Sequence, residues 1–295
     1  MGYRHTSNLY KDQKVMLFKE GYATEKVHGT SAHVSYKRNA TDPSLSELKL
    51  FSGGEPYARF AALWNLDELK QRFIEKGFEE IVVFGEAYGG SQQGMSHTYG
   101  PKLCFIVFEV KIGDRWLDVE TADRVATSLG FEFVPYKRIP MTIEAIDAER
   151  DADSEVAIRR GMGPGKKREG VVLRPLVEVT LNNDERIIAK HKREDFQEHK
   201  SPRPVLPDGE KQKLLEEADK IAEEWVVPMR LEHVLDKLPK PHAMEQVKEV
   251  IAAMISDVYR EAKGEIVESK ATEKAIGKKT VELFKKKLAE ALNAN

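Results

Sequence analysis

The chain has 295 residues, 41% of them hydrophobic and 33% charged, enough to bury one large core or a large and a small one. Lys and Arg total 47 against 49 Asp and Glu, so no overall basic excess advertises a nucleic-acid partner, although a local basic groove is compatible with that balance. A single cysteine, Cys104, rules out an intramolecular disulfide and a cysteine-based metal centre.

The N-terminal MGYRHTSNLYKDQK is polar and lacks the apolar core of a signal peptide. No apolar run approaches the roughly 18 residues of a membrane span. The expectation is a soluble, intracellular, cytoplasmic protein. Up to about residue 200 short runs rich in branched and aromatic side chains alternate with loops: VMLFKEGYATEKV, HVSYKR, LKLF, EIVVFGEAYG, LCFIVFEVKI, GVVLRPLVEVT and RIIAKHK. Their partial period-2 alternation and Gly, Pro, Asp or Asn boundaries predict strands. FAALWNLDELKQRFIEKG predicts a helix with Phe60, Leu63, Leu66, Leu69 and Phe73 on one face and Gly77 ending it, and VETADRVATSLG predicts another closed by Gly130. Cys104, inside LCFIVFEV, reads as a buried, inert thiol.

Three prolines within HKSPRPVLPDGE, residues 199–210, predict an extended linker. Beyond it KQKLLEEADKIAEEWV, MEQVKEVIAAMISDVYREAKG and TVELFKKKLAEAL keep three- and four-residue apolar spacing. The expected fold class is therefore α+β: antiparallel sheets with flanking helices over residues 1–200, then a small all-helical domain over 208–295. Val281, Phe284, Leu288 and Leu292 give the last helix a face to dock. Its Lys285, Lys286 and Lys287 read first as a solvated face, with phosphate tracking as the alternative.

The pattern Lys-x-x-Gly occurs at Lys26, Lys167 and Lys274, so it identifies no nucleophile by itself. Lys167 and Lys274 read as charges facing water. Lys26 ends a strand and precedes the turn-forming Gly29; an ordinary strand lysine and a nucleophile both fit. Downstream, Glu86 ends a strand that opens into a glycine-rich loop, where a carboxylate can accept from a sugar hydroxyl. Phe108, followed by Glu109, is a core residue or a platform for a base. Glu169 heads an apolar strand after the basic loop PGKKR, as an ion-pair partner of Arg168 or Lys167 or as an oxygen ligand for Mg²⁺. Lys190 and Lys192, two apart on a strand, share a face, and like charges side by side are costly unless an anion lies between them. AIGKKT lacks the earlier glycine of a phosphate loop, and the eight histidines show no metal-ligand spacing.

Taken together, these runs resemble the covalent nucleotidyltransferases, the superfamily of polynucleotide ligases and mRNA capping enzymes. EKVHG is similar to motif I, VFGEAYG to motif III, VFEV to motif IIIa, REGVVLRP to motif IV and IIAKHK to motif V, in the family's order. The histidine of KVHGT and the helical tail are similar to the RNA ligase 2-type ATP-dependent RNA ligases. The resemblance implies that Lys26 attacks ATP to form lysyl-AMP, that AMP passes to a 5′-phosphate, and that a 3′-OH then seals the strand. It implies a nucleotide site of Thr24, Glu25, Lys26, Val27, Gly29, Glu86, Phe108, Glu169, Lys190 and Lys192, with Glu25 recognising adenine, Phe108 stacking on it and Glu86 contacting the ribose. Lys26, His28, Lys190 and Lys192 are the catalytic set, with His28 serving lysine adenylylation. Glu169 is the metal ligand and ATP and Mg²⁺ (or Mn²⁺) are the cofactors. The implied partners are RNA ends or a nicked duplex. A lysine of ordinary pKa near ~10 needs neighbouring cations to become nucleophilic, and Lys190, Lys192 and the metal are the candidates.

Three departures from the pattern stand out. Ser31 stands where the family usually has Asn, Ser52-Gly53-Gly54 replaces an expected motif Ia arginine for which Arg59 or Arg38 could substitute, and Glu109 replaces Asp. A DNA ligase, a capping-type guanylyltransferase and a non-catalytic nucleic-acid-binding protein remain the alternatives.

Overall fold

The structure, a computed structural model, describes residues 3, 5–197, 218–240 and 242–293. The chain divides into two compact units, Met1–Arg193 and Glu194–Asn295. The linker expected at 199–210 lies outside the described residues.

In chain order the first unit contains β1 (Glu20–Lys26), β2 (Thr30–Lys37), β3 (Glu47–Ser52), α1 (Tyr57–Ala61), α2 (Leu66–Glu75), β4 (Glu80–Tyr88), α3 (Ser96–Tyr99), β5 (Cys104–Ile112) and β6 (Arg115–Trp116). It continues with α4 (Val119–Ser128), β7 (Tyr136–Pro140), α5 (Ile143–Arg150), α6 (Glu155–Arg159), β8 (Gly170–Pro175) and β9 (Ala189–Lys192). The strands form two antiparallel sheets, β7-β1-β8-β9 and β3-β2-β4-β5-β6. This is the α+β architecture that the alternation of strand and helix patterns predicts.

Period-2 alternation decides what each face does. On the first sheet Ala23, Glu25, Val171 and His191 point one way, toward α5 and α6. His191 Nε2 lies 2.7 Å from Asp147 on α5, and Glu25 bonds the start of α6. Thr24, Lys26, Lys190 and Lys192 belong to the opposite face. On the second sheet Val34, Tyr36, Val83 and Leu50 are buried, and Tyr36 stacks on Phe73 of α2 at 5.3 Å, so that face is the helix-covered core. The two remaining faces meet through buried ion pairs, Arg174 and Arg186 from the first sheet's side gripping Glu109 of β5 at 3.3 and 2.8 Å.

Local chemistry explains where the elements depart from the expected ones. VMLF does not extend β1: Asp12 accepts the Lys14 N–H at 3.1 Å and winds Lys14–Leu17 into a 3₁₀ turn. The helix expected over 60–77 breaks in two, because the Asn65 side chain accepts the N–H groups of Asp67 and Glu68 and starts α2. GVVLRPLVEVT stops at Pro175, which has no N–H for the ladder. Helices α5 and α6 begin where Thr142 and Ser154 accept from the N–H groups of Ala145 and Ala157. Cys104, expected buried, is half-exposed at the start of β5, although burial still raises its thiol pKa.

The second unit contains α7 (Ala218–Trp225), α8 (Pro228–Asp236), α9 (Val247–Glu261) and α10 (Lys270–Asn293). Trp225, Leu231, Val234, Val250, Met254, Val258, Ile276 and Phe284 form its own apolar core. Val281 and Leu288 are half-buried on the same helix as Phe284, and Leu292 is described only as part of α10. Gly277, the glycine of AIGKKT, sits mid-helix where an added Cβ would stand 3.3 Å from Ile251, so it serves the approach of α10 to α9. Among the described residues no helix is long and apolar enough to cross a membrane.

Candidate active site

The two antiparallel ladders of the first sheet bring Lys26 and Lys192 into one row, on either side of Gly170. Gly170 adopts φ +154°, and a Cβ there would lie 2.2 Å from the His191 carbonyl oxygen. With no side chain in the middle of the row, the preceding residue supplies the group that bridges it. Glu169 sets Oε2 2.8 Å from Lys26 Nζ and Oε1 3.0 Å from Lys192 Nζ. His28 Nδ1 stands 3.2 Å from the same Oε2. The next row, Thr24–Val172–Lys190, continues the face.

The second sheet closes the site from the other side. Gly29 follows the turn between β1 and β2, and its N–H donates to Glu86 Oε1 at 3.1 Å. A Cβ on Gly29 would meet the Ala87 carbonyl oxygen at 2.3 Å, so only glycine allows this approach of motif I to β4. The His28 N–H donates to Tyr99 Oη at 3.3 Å, a contact that no spacing in the sequence announces. Ser31 lies opposite Glu86 in the β2–β4 register.

The two carboxylates carry opposite perturbations. Burial alone would raise the Glu169 carboxyl, but the ammonium groups of Lys26 and Lys192, with His28, hold it well below its ordinary value. Burial pushes Glu86 up to about 8, the Glu169 charge adding to that and Lys26 opposing it. The cost expected for Lys190 and Lys192 as like charges is relieved at Lys192 by the Glu169 carboxylate. Nor does Glu169 pair with Arg168, which turns to the outer face and donates to the Asp153 carbonyl at 2.7 and 3.1 Å.

Other expected site residues are engaged within the protein. The Glu25 side chain is on the outer face, accepting from Ser154 Oγ and from the N–H groups of Glu155 and Val156. Its carboxylate caps α6, and burial raises its pKa. Thr24 Oγ1 donates to the Val172 carbonyl at 3.2 Å, and Val27 is buried. Phe108 is half-buried with Tyr3 edge-on at 5.0 Å, so the ring assigned to the base already has an aromatic neighbour from the N-terminal segment. Glu109 is spent on Arg174 and Arg186, whose cations outweigh burial and lower its pKa. Of the candidates for the missing arginine, Arg38 pairs with Glu79 beyond the end of β2 far from Ser31, and Arg59 pairs with Glu55 at 3.0 Å.

Among the described residues no cluster of three or more His, Cys, Asp and Glu could hold a metal ion. Glu86 and Glu169 nonetheless fit Mg²⁺, which is commonly held by one or two carboxylates together with substrate phosphates and water.

The family model for RNA ligase matches residues 19–192, more than half of the chain and every residue of this cluster. The chain belongs to the RNA ligase family. Among solved structures, this RNA ligase family member is similar to Naegleria gruberi RNA ligase with PPi, at 15% identity and a TM-score of 0.47. It is also similar to mutants of that protein with ATP and Mn (16%, TM-score 0.49) and with AMP and Mn (16%, TM-score 0.48). Each match covers 66% of this chain and 57% of the other. Among curated proteins nothing matches.

Proposed function

We propose that this protein is an ATP-dependent polynucleotide ligase acting on RNA through a lysyl-AMP intermediate. The observation that carries the reading is the cluster of Lys26, Glu169, Lys192 and Glu86, an amine, a second cation and two carboxylates converging from facing sheets. A structural ion pair needs one lysine; a nucleotide site needs a nucleophile, a charge for the phosphate and an oxygen donor for a metal.

In the first step Lys26 Nζ forms a bond to the α-phosphorus of ATP, the bond to the bridging oxygen breaks, and pyrophosphate leaves. The amine attacks in its neutral form, its proton having passed to solvent, and it leaves the ion pair with Glu169 as it does so. Lys192 and Lys190 neutralise charge building on the α-phosphate. Mg²⁺ held by Glu169 and Glu86 would add electrostatic stabilisation of the same phosphate. Next a 5′-phosphate oxygen attacks the α-phosphorus, and the P–N bond returns its electrons to Lys26. Last, a 3′-OH attacks the activated 5′-phosphorus, losing its proton as AMP departs.

The test is incubation with α-³²P-ATP or α-³²P-GTP and Mg²⁺ without nucleic acid, followed by denaturing separation. Label from ATP should remain on the wild-type protein and be absent from Lys26→Ala. No label from either nucleotide overturns the enzyme reading; label from GTP alone turns it to a capping-type guanylyltransferase. Joining of single-stranded and nicked RNA and DNA then fixes the strand substrate.

A further inference from the structure

On the site face of the edge strand β3, alternation places Glu47, Lys49 and Phe51, while Leu48 and Leu50 turn toward the core. A half-solvated antiparallel sheet calls for polar residues on that face. Phe51 breaks the pattern: it is 48% exposed. It is not an isolated surface phenylalanine, for its ring lies nearly parallel to His33 at 5.0 Å, with an interplanar angle of 23°. His33 in turn touches Phe84 at 5.6 Å, and Phe84 reaches Tyr3 and through it Phe108. Rings in contact thus run from the edge of the sheet to the expected base-stacking residue.

The register locates this row beside the reacting groups. Ser31 pairs with Glu86, and two residues on, His33 pairs with both Phe84 and Phe51. Phe51 is therefore two strands outward, across β2, and two residues along from Glu86, on the same face. Just beyond it lies Ser52-Gly53-Gly54, where the expected arginine is missing, and the Gly53 N–H is tied to the Ser31 carbonyl at 3.0 Å. Burial lowers the His33 pKa, so a neutral imidazole backs the phenyl ring.

We infer that Phe51, backed by His33, is a stacking platform for an unpaired or terminal base of the polynucleotide strand whose end enters the site. The ring offers one free face at the rim, and stacking accepts every base because each has a π-face. It also supplies by stacking some of the strand grip that a motif Ia arginine would supply by charge. This inference rests on the ligase reading above.

The experiment uses the full chain and a 12-nucleotide single-stranded RNA as probe. Phe51→Ala should take label from ATP at the wild-type rate while its affinity for the RNA and its rate of strand joining each fall about tenfold, the size expected for one lost stacked base. Phe51→Trp should keep joining within about twofold, and its added fluorescence should be quenched saturably by the RNA but not by ATP. Normal joining by Phe51→Ala, equal losses of label and joining, or no quenching in Phe51→Trp would each overturn the platform. If the wild-type protein takes no label from any nucleotide, the ligase reading fails by itself, and the quenching experiment still decides whether the platform exists.

Discussion

Two glutamates of the same site are expected to answer pH in opposite ways. The folded-state pKa of Glu86 is raised from the usual 4.5 to about 8, so the folded protein holds a proton that the unfolded chain has lost. Its contribution is fully present below 4.5 and is lost as pH rises through 8. Glu86→Gln should therefore melt increasingly above wild type from pH 4.5 to pH 8 and keep a constant advantage beyond it, in thermal unfolding of the nucleotide-free protein; a pH-independent offset would contradict this. Glu169 is the reverse case, with a depressed folded pKa and a contribution present above 4.5 and lost as pH falls through the folded value. Glu169→Gln leaves the buried Lys192 without its carboxylate, which costs about 3 kcal/mol at neutral pH. That loss should shrink in acid, and lysine adenylylation should disappear; a wild-type rate would remove Glu169 from the site. Lys26, Glu86, Glu169 and Lys192 were legible only as an ordered series of motifs: Lys26 and Lys192 end strands, and Glu86 and Glu169 each adjoin a glycine. Glu25, in the same run as Lys26, shows what such a series leaves out: alternation turns it to the other face, where Ser154, more than a hundred residues on, awaits it.

At the scale of elements, the short backbone stretch Ser7–Leu9 acts as an added edge. The Leu9 N–H donates to the Lys190 carbonyl at 2.8 Å and the Lys190 N–H to the Ser7 carbonyl at 2.9 Å, covering the open side of β9 beside the site. Deleting residues 1–9 exposes that edge. The Lys190 amide should then lose its hydrogen-exchange protection while Leu173, inside β8, keeps its own; unchanged protection at Lys190 would show that β9 needs no such cover. A second expectation concerns the turn after β1. Gly29→Ala must push the Ala87 carbonyl aside, at about 1–3 kcal/mol for an overpacked site. The displaced Gly29 N–H also leaves Glu86, so lysine adenylylation should fall at least about tenfold, and a wild-type rate would show that the approach tolerates a methyl group. Neither feature was legible, since MGYRHTSNLYKDQK has no strand pattern and a glycine in a turn does not announce the carbonyl it faces. The helix starts at Thr142 and Ser154 carried cap signals, but their apolar runs are too short to show a helical period against the strands around them.

At the scale of the whole molecule, composition and the change of pattern near residue 200 foretold two kinds of architecture, and each unit holds a core of its own. Every residue of the proposed nucleotide site lies between Thr24 and Lys192, within the first unit. A fragment of residues 1–197 should therefore fold and take label from ATP at a rate within about threefold of the full chain. The second unit has a different resource. Lys270, Lys274 and Lys278 stand exposed at four-residue spacing on α10, with Lys285 exposed one turn beyond Val281. Like charges four apart destabilise a helix, and phosphates lying along it would relieve that repulsion. Each phosphate neutralised adds close to one unit to the slope of log K against log salt for duplex, and ~0.7 for a single strand. The fragment should thus bind RNA with a shallower salt dependence than the full chain, by roughly two to three units if these lysines are the ones engaged. Replacing Lys270, Lys274 and Lys278 by glutamine in the full chain should reproduce that shallower slope and leave the label from ATP unchanged. Identical slopes for all three proteins would instead make the α10 lysines a solvated face, and would leave strand binding to the first unit alone.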